Sequence, residues 1–231
     1  VKKNPDWAAM LQAINAKWYY TWSSDQAEMS PAGIEFIPMQ WGRWGCTAEK
    51  MTRLKARHDT ILGFNEPDQH EQANMSIEEA LALWPILMES GMRLGSPAAV
   101  HPDGEWMTVF MEESARRGYR IDFINMHSYM GKNSKHFLNK VERIYKRYKK
   151  PIWITEFAVA DWDARADKPN KFSPDDAYEF MEKALPELEK TDYVERYAWF
   201  TSPTPSLAVA PSVLFNEDGS LNRLGRLYAS I

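Results

Sequence analysis

Thr60-Ile61-Leu62-Gly63-Phe64-Asn65-Glu66-Pro67 and Pro151-Ile152-Trp153-Ile154-Thr155-Glu156-Phe157 read alike: each is a short apolar, β-branched or aromatic run that arrives at a glutamate. Such runs, bounded by turn residues, are strand signals. Thr60–Asn65 and Pro151–Phe157 are joined by five more of the kind, Lys17–Trp22, Ile34–Met39, Met92–Pro97, Ile121–Ser128 and Val194–Thr201. Between them lie longer amphipathic stretches, and the alternation predicts an α/β fold with a parallel sheet.

The helices carry readable punctuation. Asn4 before Pro5 reads as a cap, Ser76 with Glu79 as a capping box opening a helix that Gly91 ends, and Ser173-Pro174 as the start of a helix running toward Lys190. Another begins near Trp106 and closes at Gly118, and Phe137, Val141, Ile144, Tyr145 and Tyr148 give Ser134–Lys149 one apolar face. Seven strands with helices between them fit an open doubly wound sheet or an eight-stranded barrel. Neither GxGxxG nor a P-loop follows any strand, so the expectation is a compact (β/α)8 TIM barrel, with Val1–Lys3 the end of a short or truncated first strand. The irregular stretches Ser23–Gly33, Ala158–Phe172 and Ser202–Ser212 then fall on the face where a barrel keeps its active site.

Composition narrows the functions. A chain of 231 residues with 44% hydrophobic and 26% charged residues suits one globular domain, residues 1–231. A net charge of −4 leaves no basic footprint for nucleic acid. Cys46 is the single cysteine, which excludes an intramolecular disulfide and a thiolate zinc cluster. His58, His70, His101, His127 and His136 show neither HxH nor HExxH spacing, and no GxSxG elbow is present, so metal and serine hydrolases are disfavoured and no cofactor is expected. No run is apolar enough to span a bilayer, and the first residues lack a signal-peptide core, so export implies a signal already removed. Ten Trp, ten Tyr and ten Phe furnish a core, and also the flat faces on which sugar rings pack.

In a barrel both strand-end glutamates reach the same mouth, and glycosidic cleavage needs such a pair: one carboxyl protonates the leaving oxygen while the other supports the charge growing at the anomeric carbon. Either glutamate alone reads as a solvated strand end; the two together are far more specific. His127 and Tyr129, two residues apart, share a face of their strand and can steady Glu156 or a sugar hydroxyl, although the histidine by itself is better read as a satisfied core residue. Gln40, Trp41 and Trp44 follow one strand and Trp162 lies in the loop after Glu156, as candidate cleft walls. Trp7, Trp84 and Trp106 sit in helical patterns and read as packing. The Lys140–Lys150 charge run reads as the wet face of a helix.

Asn65-Glu66-Pro67 and Thr155-Glu156-Phe157 resemble the paired motifs of clan A retaining glycosidases. With Trp18-Tyr19-Tyr20-Thr21-Trp22, Glu35–Gly42 and Asp122–Tyr129, the chain from about Ala16 to Ser202 resembles glycoside hydrolase family 128, the endo-β-1,3-glucanases. The resemblance implies Glu66 as general acid/base, Glu156 as nucleophile, Asn65 on the sugar 2-hydroxyl and Trp199 as floor of the sugar site. It implies a β-1,3-glucan substrate, and hence a secreted or cell-surface enzyme; a monomer is expected. Alternatives are another clan A β-glycanase and a glucan-binding protein without turnover.

Overall fold

A computed structural model describes residues 6–26, 30–201 and 205–231. The expected cap at Asn4 and strand end at Val1–Lys3 lie outside them. In chain order the elements are α1 (Trp7–Ala13), β1 (Trp18–Tyr19), β2 (Glu35–Phe36), α2 (Ala48–Lys55), β3 (Thr60–Ile61), α3 (Ile77–Glu89), β4 (Arg93–Leu94), α4 (Glu105–Arg116), β5 (Ile124–Met130), α5 (Ser134–Tyr148), β6 (Ile152–Val159), α6 (Pro174–Glu189), β7 (Val194–Trp199), a 3₁₀ turn (Leu207–Ser212) and α7 (Arg223–Ala229). Each of the seven predicted strands is present. No helix among the described residues is long and apolar enough to cross a membrane.

Strand pairing is parallel throughout: β1 with β2, β3 with β4, and β5 with β6 and β7. Parallel bridges Met39↔Leu62 and Gly95↔Phe123 join these pieces, so spatial order follows chain order, the arrangement of successive βα units. Two aromatic-rich layers pack on the strands. Ile37, Met39, Leu62, Phe123 and Trp153 form a core on the inner face, and a larger core, including Phe64, Trp84, Phe110, Phe137, Phe157 and Phe180, fills the space between strands and helices. Full burial of a side chain such as Phe123 or Met39 contributes about 1.5–3 kcal/mol. Gly95 leaves no room for a side chain: a Cβ there would stand 2.6 Å from the Phe123 ring and from Asn125 Nδ2.

Local signals in the sequence account for the helix ends. Ser76 and Glu79 exchange side-chain hydrogen bonds with each other's backbone N–H at 3.1 and 2.9 Å. Ser173 and Asp176 do the same at the start of α6, with Pro174 as its first residue. On α5, Phe137, Val141 and Ile144 are buried as their spacing predicts. The ring of Trp84 sits between Phe64 and Phe110, Trp7 packs on Tyr19, and half-buried Trp106 stacks on Phe110, so all three helical tryptophans pack in or against the core. At the N-terminal strand ends, Arg93–Glu195 at 2.7 Å and Arg196–Glu35 at 2.6 Å tie β7 to β4 and β2.

Candidate active site

Glu156 owes its direction to one extra residue. Met126 pairs with Ile154 but His127 pairs with Glu156, and on the other side Ile154 pairs with Tyr197 while Phe157 pairs with Trp199. Both registers slip by one around Thr155, so β6 bulges there. In a regular strand Glu156, three residues after inward-facing Trp153, would face the helices; the bulge returns it to the inner face and sends Phe157 outward. Glu66 is aimed by a different device. It follows the Asn65↔Ala98 bridge and holds φ at +41°, the left-handed region that non-glycine residues seldom occupy, with its N–H donated to the Ala98 carbonyl at 2.9 Å.

His127 stands between the two. Its Nδ1 lies 2.8 Å from Glu66 Oε1 and its Nε2 lies 3.5 Å from Glu156 Oε1, the latter without hydrogen-bond geometry. One ligand-type atom from each of the three residues lies within 4.8 Å of the others. Burial by itself would lower the His127 pKa, but the Glu156 charge and the Glu66 hydrogen bond and charge outweigh it and raise it above the ordinary imidazole value. Among the described residues this trio is the one grouping able to hold a metal ion. Spacing rules could not show it, because its members come from three separate segments of the chain.

Glu156 is 5% exposed and its charge is met on several sides. Tyr20 O–H and Trp22 indole N–H each donate to Oε1 at 2.7 Å, and Tyr129 O–H donates to Oε2. Both phenols are pushed well above the ordinary tyrosine range, first by burial and then by the negative charge of Glu156, so they remain donors. Asn65, 3% exposed, gives its Nδ2 to Gln72 at 3.2 Å and keeps Oδ1 free of any protein donor among the described residues.

Two expectations need correction. Gln40 is buried and spends its amide on protein: Nε2 donates to the Gly42 and Trp44 carbonyls at 2.6 and 3.0 Å, and Oε1 accepts from Lys50 Nζ at 3.0 Å. It braces the loop after β2 and is not available to a sugar. Trp199 is also turned away. Its ring meets Phe157 at 5.0 Å and Phe180 of α6 at 6.0 Å, and its Nε1 donates to the Ser212 carbonyl at 2.7 Å. Strand alternation puts Trp199 in the helix-side core and Phe200, one residue on, beside Trp22 and Tyr129. Trp162, exposed, stands edge-on to Tyr129 at 5.4 Å; Trp44 is 81% exposed, and Trp41 packs against the inner core. Tyr20, Trp22 and Phe200 were not singled out from sequence. Trp18, Tyr20 and Trp22 come at every second position of the sequence, each a flat ring with a polar tip, and that pattern was the available signal.

Two facing carboxylates, one on the bulge of β6 and held by three donors, the other just after the Asn65↔Ala98 bridge and bonded to a histidine, define a glycoside hydrolase. The family model for the glycosyl hydrolase catalytic core matches residues 2–228. The chain is similar to an endo-β-1,3-glucanase of family 128, subgroup I, from Amycolatopsis mediterranei, a mutant solved with laminarihexaose, with 38% identity, TM-score 0.86, and 98% of this chain and 95% of that one covered. A subgroup II endo-β-1,3-glucanase from Sorangium cellulosum is 30% identical, with TM-score 0.80 over 96% of this chain and 94% of that one. Alkali-sensitive linkage protein 1 of Schizosaccharomyces pombe is 33% identical over 227 residues, 92% of this chain, and the match spans 40% of that relative's length. The chain belongs to the glycosyl hydrolase catalytic core family and, within it, to glycoside hydrolase family 128.

Proposed function

We propose that this protein is an endo-β-1,3-glucanase that works by double displacement, with Glu66 as general acid/base, Glu156 as nucleophile and no metal or organic cofactor. The observation that carries the reading is the close grouping of Glu66, His127 and Glu156, whose facing atoms lie within 4.8 Å. Retaining enzymes hold their carboxyls about 5–5.5 Å apart, whereas inverting enzymes leave about 6.5–9.5 Å for a water. Facing oxygens that come within 4.8 Å of each other leave little room for a water between the carboxyls, and this supports attack by Glu156 itself.

Asn65 Oδ1 accepts from the 2-hydroxyl of the reacting sugar, a contact that strengthens as the transition state forms. Tyr129 steadies Glu156, and His127 steadies Glu66. Trp41, Trp44 and Trp162 form the cleft walls, and Phe200 takes the place at the sugar site expected of Trp199. The oligosaccharides bound to the family 128 enzymes favour a β-1,3-glucan as substrate. A polymeric glucan in turn places the enzyme outside the cell or on its surface, acting as a monomer.

The architecture we propose is one (β/α)8 domain. Trp18 meets Trp153 at 5.5 Å, Tyr20 reaches Glu156, and Arg196 reaches Glu35, so β1 and β2 come round to β6 and β7. The β1 and β7 edges line a groove of about 800 Å³, which is where the eighth stave belongs. Incubation with β-1,3, β-1,4 and mixed-linkage glucans tests the substrate, and proton NMR of the first-formed reducing end tests the mechanism. The expected result is cleavage of the β-1,3 polymer with the β-anomer first; the α-anomer first would overturn both glutamate roles.

A further inference from the structure

The two oxygens of Glu156 are not equivalent. Oε1 accepts from both the Tyr20 O–H and the Trp22 N–H at 2.7 Å, while Oε2 accepts from Tyr129. A carboxylate oxygen offers two in-plane lone pairs, so Oε1 is saturated and Oε2 keeps one free. Trp22 reaches this position with φ at +50°, a conformation that bulky residues rarely adopt and that persists only where the surroundings hold it. Its ring is held edge-on by Tyr20 at 5.3 Å and Phe200 at 6.2 Å.

From this asymmetry, and resting on the double-displacement reading, we infer that Oε2 attacks the anomeric carbon and that the Trp22 N–H, with the Tyr20 O–H, serves mainly the second half of the reaction. In the first half an Oε2 lone pair bonds to the anomeric carbon. The bond to the leaving oxygen breaks, and the electron pair it releases takes the proton of Glu66. Oε1 becomes the carbonyl oxygen of a neutral ester. In the second half a water oxygen bonds to the anomeric carbon, a water proton passes to the Glu66 carboxylate, and the electron pair of the carbon–Oε2 bond returns to Glu156. Negative charge reappears on both oxygens, and on Oε1 it meets two donors already in place. Donors gain strength as charge develops, so they lower the barrier to departure of the carboxylate. In the first half the same bonds stabilise the nucleophile before it attacks, and their loss is less damaging there.

Trp22→Phe keeps an aromatic ring and removes the N–H. The probe is 2,4-dinitrophenyl β-laminaritrioside, whose leaving group needs no proton, followed by stopped flow and intact-protein mass. A hydrogen bond to a charged group accounts for about a 10- to 100-fold change in rate, so kcat should fall by about that factor. KM should fall with it, with a burst of one dinitrophenolate per protein and a mass increase of one trisaccharide. Tyr20→Phe removes the other donor to the same oxygen and should give the same signature, which keeps the test open if Trp22→Phe folds poorly. Equal losses in kcat and kcat/KM for both variants, with no burst and no added mass, would overturn the assignment. The anomer released by the wild-type protein separates the two levels: β first with no burst in either variant sinks the donor role alone, whereas α first sinks the double displacement beneath it.

Discussion

Replacing Trp199 by alanine should destabilise the fold strongly while leaving sugar binding by the folded protein largely intact. The indole is 6% exposed, lies against Phe157 and Phe180, and satisfies the Ser212 carbonyl at 2.7 Å. Truncating a buried aromatic costs about 3–5 kcal/mol, and leaving a buried carbonyl without its donor costs roughly 1–3 kcal/mol more. Because the two overlap, about 5 kcal/mol is the working figure, which in a chain of this size lowers Tm by about 10–20 °C. Circular dichroism melts of the wild type, Trp199→Ala and Phe200→Ala measure it, with laminari-oligosaccharide binding followed at 15 °C. Phe200→Ala should melt within a few degrees of wild type and bind sugar more weakly. A Trp199→Ala protein that keeps its Tm but loses sugar binding would show that the indole faces the cleft and would refute the assignment by strand alternation.

Glu66→Ala should still cleave a dinitrophenyl glycoside, and added azide should speed release of a β-glycosyl azide; Glu156→Ala should form no glycosyl-enzyme, as mass spectrometry of the quenched reaction will show. EDTA should leave the rate unchanged, because the chemistry uses carboxylates, while Zn²⁺ should inhibit by occupying the Glu66–His127–Glu156 trio; activity lost in EDTA and restored by metal would contradict this. The raised pKa of His127 means that its stabilising contribution is full below about pH 6.5, the unfolded value, and is lost as pH rises through the folded value. Urea melts of wild type and His127→Gln at several pH values should therefore converge upward in pH, and a gap that widens would reverse the sign. Gly95→Ala forces a methyl to within 2.6 Å of Phe123 and Asn125 and should cost about 1–3 kcal/mol in the same assay.

Much of this molecule is legible without coordinates because the signals are local. A capping serine and its partner at Ser76 and Glu79, the apolar face of Phe137, Val141 and Ile144, and the runs that end at Asn65-Glu66 and Thr155-Glu156 all follow from periodicity and backbone chemistry within a few residues. So the order of strands and helices was determined by sequence alone, and so was the presence of a glutamate on each of two such runs, although β6 continues past Glu156 to Val159. The direction of a side chain at the end of a strand was not. It turns on a single residue of register, and register is set by pairing with neighbouring strands: the bulge at Thr155 turns Glu156 inward, and alternation along β7 puts Phe200 rather than Trp199 at the site. Gln40 could be placed beside the cleft but not seen to be spent on Gly42, Trp44 and Lys50. The donors to Glu156, Tyr20 and Trp22, lie 136 and 134 positions away in the chain, and His127 lies 61 from Glu66. Only the tertiary fold brings such distant groups within hydrogen-bond reach, and no spacing rule along the chain encodes it.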